Sequence, residues 1–172
     1  EYVITITGTD AVGRTDVTSK TVTVDTTPPT FVVSNIAGDG STQVDGTSYT
    51  VVGTSTDPGA STSGVALVEY SLDYIDDPGD TWNAATGTTN WSVPLTGLAD
   101  GLAKTFAVRA TDNAGNVSAV TDLDFDVDLE APDLAVTGGN TAASLVYLNS
   151  DMLLSGTATD ANGVPSITVT YN

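Results

Sequence analysis

Lys104-Thr105-Phe106-Ala107-Val108-Arg109-Ala110-Thr111-Asp112-Asn113-Ala114-Gly115 decides how this 172-residue chain is read. Phe106, Val108 and Ala110 fall on one side of a period-2 pattern and Arg109 on the other, which predicts a half-buried strand over Ala103–Thr111. The Thr-Asp-x-x-Gly that ends it is a tight hairpin turn. Its aspartate caps the local backbone and its glycine takes the left-handed position. The same phrase stands 102 residues earlier as Thr9-Asp10-Ala11-Val12-Gly13, preceded by Ile4, Ile6 and Gly8 in the columns of Phe106, Val108 and Ala110.

Other phrases return as well. Gly53-Thr54-Ser55-Thr56-Asp57 reappears 103 residues later as Gly156-Thr157-Ala158-Thr159-Asp160. Val24-Asp25-Thr26-Thr27-Pro28-Pro29 reappears, at the same offset, as Val127-Asp128-Leu129-Glu130-Ala131-Pro132. Met152, Leu154 and Gly156 stand in the columns of Tyr49, Val51 and Gly53, so aliphatic and aromatic residues exchange without a change of polarity. A fixed period of this size indicates a tandem array. Residues 1–27 read as the last two strands of one repeat, 28–130 as a complete repeat of about 103 residues, and 131–172 as the first strands of a third.

Within the complete repeat, short alternating runs are separated by Gly/Asp/Asn/Pro clusters at intervals of roughly 8–15 residues, the pattern of an all-β antiparallel sandwich. Seven strands are predicted: Thr30–Ile36, Ser48–Ser55, Val65–Asp73, Thr81–Ala85, Thr89–Leu95, Ala103–Thr111 and Ala119–Asp128. The third should bury Val68, Tyr70 and Leu72, and the seventh Leu123, Phe125 and Val127. Asp122, Asp124, Asp126 and Asp128 then face outward, where like charges on an edge strand deter a second chain from pairing.

The net charge is −18, from 22 acidic residues against Arg14, Lys20, Lys104 and Arg109. Phosphate neutralisation needs clustered cations, so neither nucleic acid nor an anionic membrane is an expected partner. The chain has no cysteine and no histidine, which removes thiol chemistry, the usual zinc sites and the serine–histidine dyad. Paired carboxylates are plentiful, but they sit in repeated turns with no cleft-forming insertion, so an enzyme is not expected.

The two linkers, the stretch Arg109-Ala110-Thr111-Asp112-Asn113-Ala114-Gly115-Asn116, and Gly64-Val65 followed by Val68-Glu69-Tyr70-Ser71-Leu72-Asp73 resemble the bacterial immunoglobulin-like repeats of large surface and secreted adhesins. Fibronectin type III and cadherin domains share that architecture. The resemblance spans the chain and implies tandem immunoglobulin-like sandwiches in an extracellular stalk at the bacterial cell surface, often with calcium at the junctions.

In such a sandwich, the second-to-third and sixth-to-seventh strand loops lie at the end where the chain enters. That end would gather Asp25 from the linker, Asp57 from one loop, and Asp112, Asn113 and Asn116 from the other. Crowded carboxylates favour a bound proton or cation, and an all-oxygen set suits Ca2+. Asp128, Glu130 and Asp160 would rebuild the cluster at the next junction, and Asp10 would belong to the preceding repeat's loop. The opposite end, with Asp73, Asp76, Asp77, Asp80, Asp39, Asp45 and Asp100, should face the following domain.

The leading expectation is therefore a non-catalytic stalk or adhesive segment whose partners are neighbouring repeats, and a host or cell-surface receptor or glycan. A second is a self-assembling extracellular fibre subunit, in which the partial repeats of neighbouring molecules complement each other. A third is a carbohydrate-binding accessory module of a secreted enzyme. It would require Trp82 and Trp91 to be exposed and coplanar, whereas aromatics of this size more often fill a sandwich core.

Overall fold

The computed structural model describes residues 1–77, 79–138 and 155–170, and these contain strands and no helix. An N-terminal hairpin is formed by β1 (Tyr2–Thr9) and β2 (Thr15–Val22). The middle of the chain holds β3 (Thr30–Val33), β4 (Gln43–Val44), β5 (Ser48–Thr56), β6 (Val65–Ser71), β7 (Asn83–Ala84), β8 (Thr86–Gly87), β9 (Asn90–Thr96), β10 (Gly101–Asp112) and β11 (Thr121–Val127). A last pair follows, β12 (Asp133–Gly138) and β13 (Ser155–Thr159).

Two sheets of the middle section share one core. Their orders are β4-β11-β10-β6-β7 and β3-β5-β9-β8, an arrangement that is all-β and sandwich-like. Val51 and Val93 from the four-stranded sheet cluster with Val68, Phe106, Val108 and Phe125 from the five-stranded one, all fully buried. Each such side chain contributes about 1.5–3 kcal/mol when removed from water. Tyr70 stacks on Phe106 at 5.8 Å and Tyr49 on Phe125 at 6.5 Å, and the Tyr49 hydroxyl donates to the Asn35 carbonyl at 2.6 Å.

Most of the predicted strands lie where alternation placed them, and the departures have local causes. Leu72 is 49 % exposed, while Ser71, expected outside, is fully buried together with Ala107. β6 stops at Ser71, whose hydroxyl donates to Asp73 Oδ1 at 2.7 Å, so the alternation does not continue to Leu72. Trp82, beyond this turn, lies against Arg109 on the side of β10 turned away from the core, with the guanidinium 4.1 Å from its ring centroid. The sheets are also not wholly antiparallel. β4 pairs in parallel with β11 (Asp126 with Gln43, Val127 with Val44), reinforced by Asp126 N donating to Thr42 O and Asp128 N to Val44 O. β11 is therefore not a bare edge along its whole length, and Asp126 accepts from Ala103 N rather than facing water alone.

The two flanking pairs repeat the registers of the middle section. Tyr2↔Val22, Ile4↔Lys20 and Ile6↔Thr18 in β1–β2 correspond to Lys104↔Phe125, Phe106↔Leu123 and Val108↔Thr121 in β10–β11. Asp133↔Thr159, Leu134↔Ala158 and Val136↔Gly156 in β12–β13 correspond to Thr30↔Thr56, Phe31↔Ser55 and Val33↔Gly53 in β3–β5. Even a steric detail returns: a Cβ at Gly53 would collide with the Val32 carbonyl, and one at Gly156 with the Ala135 carbonyl. Met152 and Leu154 lie outside the described residues. Burial differs sharply, since every residue of β1 is exposed and Leu134 and Val136 remain open to solvent.

Candidate metal centre

Asp112 ends β10 and opens the turn that the sequence predicts. Its Oδ1 accepts from Ala114 N at 2.9 Å and Asn116 N at 2.8 Å, and Gly115, at φ 94, closes the turn. The sandwich places this turn beside Asp57, at the end of β5, and Asp25, in the linker before β3. One carboxylate oxygen from each of Asp25, Asp57 and Asp112 lies within 4.8 Å of the other two. Three segments distant in sequence thus converge on one acidic point.

Ser63, which the sequence did not single out, organises that point. Its N–H donates to Asp25 Oδ2 at 2.7 Å, and its hydroxyl faces Asp57 Oδ2 at 3.5 Å. Gly64 N donates to the same Asp57 oxygen at 2.6 Å. Asn113 and Asn116 sit here as expected but present their amide N–H groups. Asn113 Nδ2 donates to the Ser63 and Gly64 carbonyls, and Asn116 Nδ2 to Asp112 Oδ2 and the Asp25 carbonyl. These two asparagines brace the loops around the carboxylates. A serine in Ser61-Thr62-Ser63-Gly64 carries no pattern that would have marked it in advance.

The electrostatics favour ionised oxygens. Hydrogen bonds from Thr27 and Ser63 hold Asp25 below its ordinary value. Burial works to raise Asp112, which is 2 % exposed, but hydrogen bonds from Asn116, Ala114 and Gly115 outweigh it and leave the net shift downward. Asp57 Oδ1 is buried and has no hydrogen-bond donor. A buried carboxylate oxygen left without a partner is costly, and a hard cation is the group that removes the cost. Three carboxylates are too few for the six to eight oxygens of a calcium shell, so carbonyl groups or water would complete it.

The remaining candidates are dispersed. Asp10 lies at the tip of β1–β2 in a turn matching that of Asp112: its Oδ1 accepts from Val12 N and Arg14 N. Here Arg14 Nε, at 2.7 Å, occupies the role of the Asn116 amide on Oδ2, so a side chain already neutralises this carboxylate. Asp128, Glu130 and Asp160 line a cleft of about 330 Å³ together with Asp100 and Asp133. Among the described residues they do not draw together as Asp25, Asp57 and Asp112 do. Of the acids expected to face the following domain, Asp100 lines this cleft. Asp73, Asp77 and Asp80 instead bind backbone N–H groups of their own loop. Trp91 is 2 % exposed in the core and Trp82 is half-buried with Tyr74 edge-on, so the two indoles form no common platform. No protein-family model matches the chain, and no curated protein matches it.

Proposed function

We propose that this chain is a non-catalytic segment of an extracellular bacterial stalk, built of tandem immunoglobulin-like repeats and rigidified by calcium where repeats join. The convergence of Asp25, Asp57 and Asp112 carries the reading, because it ties the linker to two loops of the sandwich through one unmet negative charge. The repeated registers of β1–β2 and β12–β13 support the tandem arrangement. Asp25, Asp57 and Asp112 would hold the ion, which would supply a fixed positive centre locking the linker's direction. The strong negative charge suits a chain working outside the cell at millimolar calcium.

Thermal unfolding with and without calcium tests this directly. Sites in extracellular modules have dissociation constants of about 0.1–1 mM. Calcium at about a hundred times that constant adds about 2.7 kcal/mol, which raises the melting temperature of a domain of this size by roughly 10 °C or more. Asp57→Asn should abolish the increment. A melting temperature indifferent to calcium removes the metal, and with it the stiffening mechanism.

A further inference from the structure

The connection between β6 and β7 keeps two aromatic residues out of the core. β7 pairs with β6 through Tyr70↔Asn83 and Glu69↔Ala84. Alternation then sets Trp82, two residues before Ala84, on the outer face of the sheet with Glu69 and Arg109. There Arg109 Nε donates to Glu69 Oε2 at 3.0 Å, and its guanidinium lies 4.1 Å from the Trp82 ring centroid. Tyr74 meets Trp82 edge-on at 5.7 Å, and its hydroxyl donates to Asp76 Oδ1 at 3.2 Å. Tyr74, Trp82 and Arg109, with Asp76, Asp77 and Asp80, line a cavity of about 310 Å³.

The polar groups of this cavity fall into two sets. Asp80 is fully engaged: Oδ1 accepts from Ile75 N and Oδ2 from Asp77 N, both at 3.1 Å, which fixes the loop. Asp76 and Asp77 each have one carboxylate oxygen engaged, by the Tyr74 hydroxyl and by Gly79 N. Their other oxygens have no protein donor among the described residues, and the two terminal nitrogens of Arg109 have no protein acceptor among them. Unmet acceptors and donors therefore stand beside an aromatic wall, on a loop already held in shape. An aromatic lining with a few placed polar groups is the usual form of a small-molecule site.

We propose that this cavity binds the terminal unit of an uncharged glycan, with Trp82 and Tyr74 against a sugar face and Asp76, Asp77 and Arg109 on its hydroxyls. A sugar ring has the matching form: C–H groups on a face, and around its edge hydroxyls that both donate and accept. Charge selects against the other occupants. An anionic ligand would meet Asp76, Asp77 and Asp80. A lysine or arginine from a protein partner would meet Arg109, whose guanidinium already takes the cation–π place on Trp82. The platform is thus Trp82 with Tyr74, in place of the two tryptophans that composition suggests. It uses no residue of the Asp25–Asp57–Asp112 centre, so binding needs no calcium.

The test passes the full chain, in chelator, over an immobilised panel of neutral, sialylated and sulfated oligosaccharides, with oligolysine as the cationic control. Retention by at least one neutral oligosaccharide, and by none of the charged probes, is the expected result. Trp82→Ala should weaken that retention by about tenfold, through the lost ring contact and its buried area. Trp91 remains in the core of that variant, and its fluorescence reports whether the sandwich is folded. Asp76→Asn together with Asp77→Asn changes two exposed side chains outside the core. It should weaken retention by about threefold or more, because charged acceptors make the stronger hydrogen bonds. Retention by no neutral oligosaccharide, or by oligolysine or the charged glycans instead, overturns the proposal. So does retention unchanged in a folded Trp82→Ala chain.

Discussion

β10–β11 and β1–β2 have the same cross-strand register and opposite burial. Phe106 and Val108 are fully enclosed, while their counterparts Ile4 and Ile6 are more than half exposed. Turn chemistry explains the shared part. Asp10 and Asp112 each accept from the backbone N–H groups two and four residues on, so the hairpin closes in the same register whether or not a second sheet lies beneath it. Packing explains the rest: among the described residues, the apolar face closes against β5, β9 and β6 in the middle section alone. Register is a local property of this fold and stability a non-local one.

The sharpest way to break the comparison is to truncate matching residues. Phe106→Ala should cost about 3–5 kcal/mol, the range for a large aromatic removed from a core. Ile4→Ala should leave the same transition unchanged. Both tryptophans, Trp82 and Trp91, lie in the middle section, so denaturant unfolding followed by tryptophan fluorescence reads that section alone. Equal losses from the two variants would mean that the hairpin is packed after all.

A second substitution exchanges the feature that distinguishes the two turns. Asn116→Arg gives the central turn the guanidinium that neutralises Asp10 in the hairpin. The arginine should take the cation's place, reducing the calcium-dependent gain of about 2.7 kcal/mol to near zero. Stability in chelator should equal or exceed that of the parent. Retention of the full calcium response in the variant would show that the charge at this turn is not what the ion answers.

Gly53 and Gly156 extend the comparison to β3–β5 and β12–β13. Gly53→Ala forces a methyl against the Val32 carbonyl and the Trp91 ring. Such overpacking costs about 1–3 kcal/mol, read as a fall of roughly 4–8 °C per kcal/mol in melting temperature. Gly156→Ala meets the Ala135 carbonyl and nearby backbone, outside the section that the tryptophans report, and should leave the fluorescence transition in place.

The sequence made these correspondences visible because they are written in alternation and in Asp-x-x-Gly turns, both local signals. The columns of Phe106, Val108 and Ala110 needed no tertiary knowledge, nor did the recurrence of Asp25 and Asp57 at Asp128 and Asp160. β4 escaped notice because two residues in a parallel pair cannot display a period. Leu72 was misplaced because alternation does not announce where β6 stops. At the acidic centre the three aspartates were legible from loop position. The part played by Ser63 depends on backbone N–H direction, and the donor role of Asn113 and Asn116 on which end of an amide faces inward. Neither is a property of residue type.

The smallest effect is expected in acid. Asp25 and Asp112 both titrate below the ordinary value of 3.8 in the folded chain. The unfolded chain therefore takes up protons first as pH falls. Their contribution to stability is fully present above that value and is lost as pH drops through the folded values. Asp10 is lowered too, by hydrogen bonds from Arg14, yet it sits in a hairpin that does not feed the fluorescence transition. Acid titration in chelator should thus show a loss of stability below about pH 4 that Asp112→Asn flattens and Asp10→Asn leaves alone. Calcium at about 10 mM, well above the expected dissociation constant, should move that acid limb lower, because proton and ion compete for the same oxygens. An acid limb insensitive to calcium but sensitive to Asp112→Asn would make Asp112 a turn-forming residue alone and would erase the functional difference between the two turns.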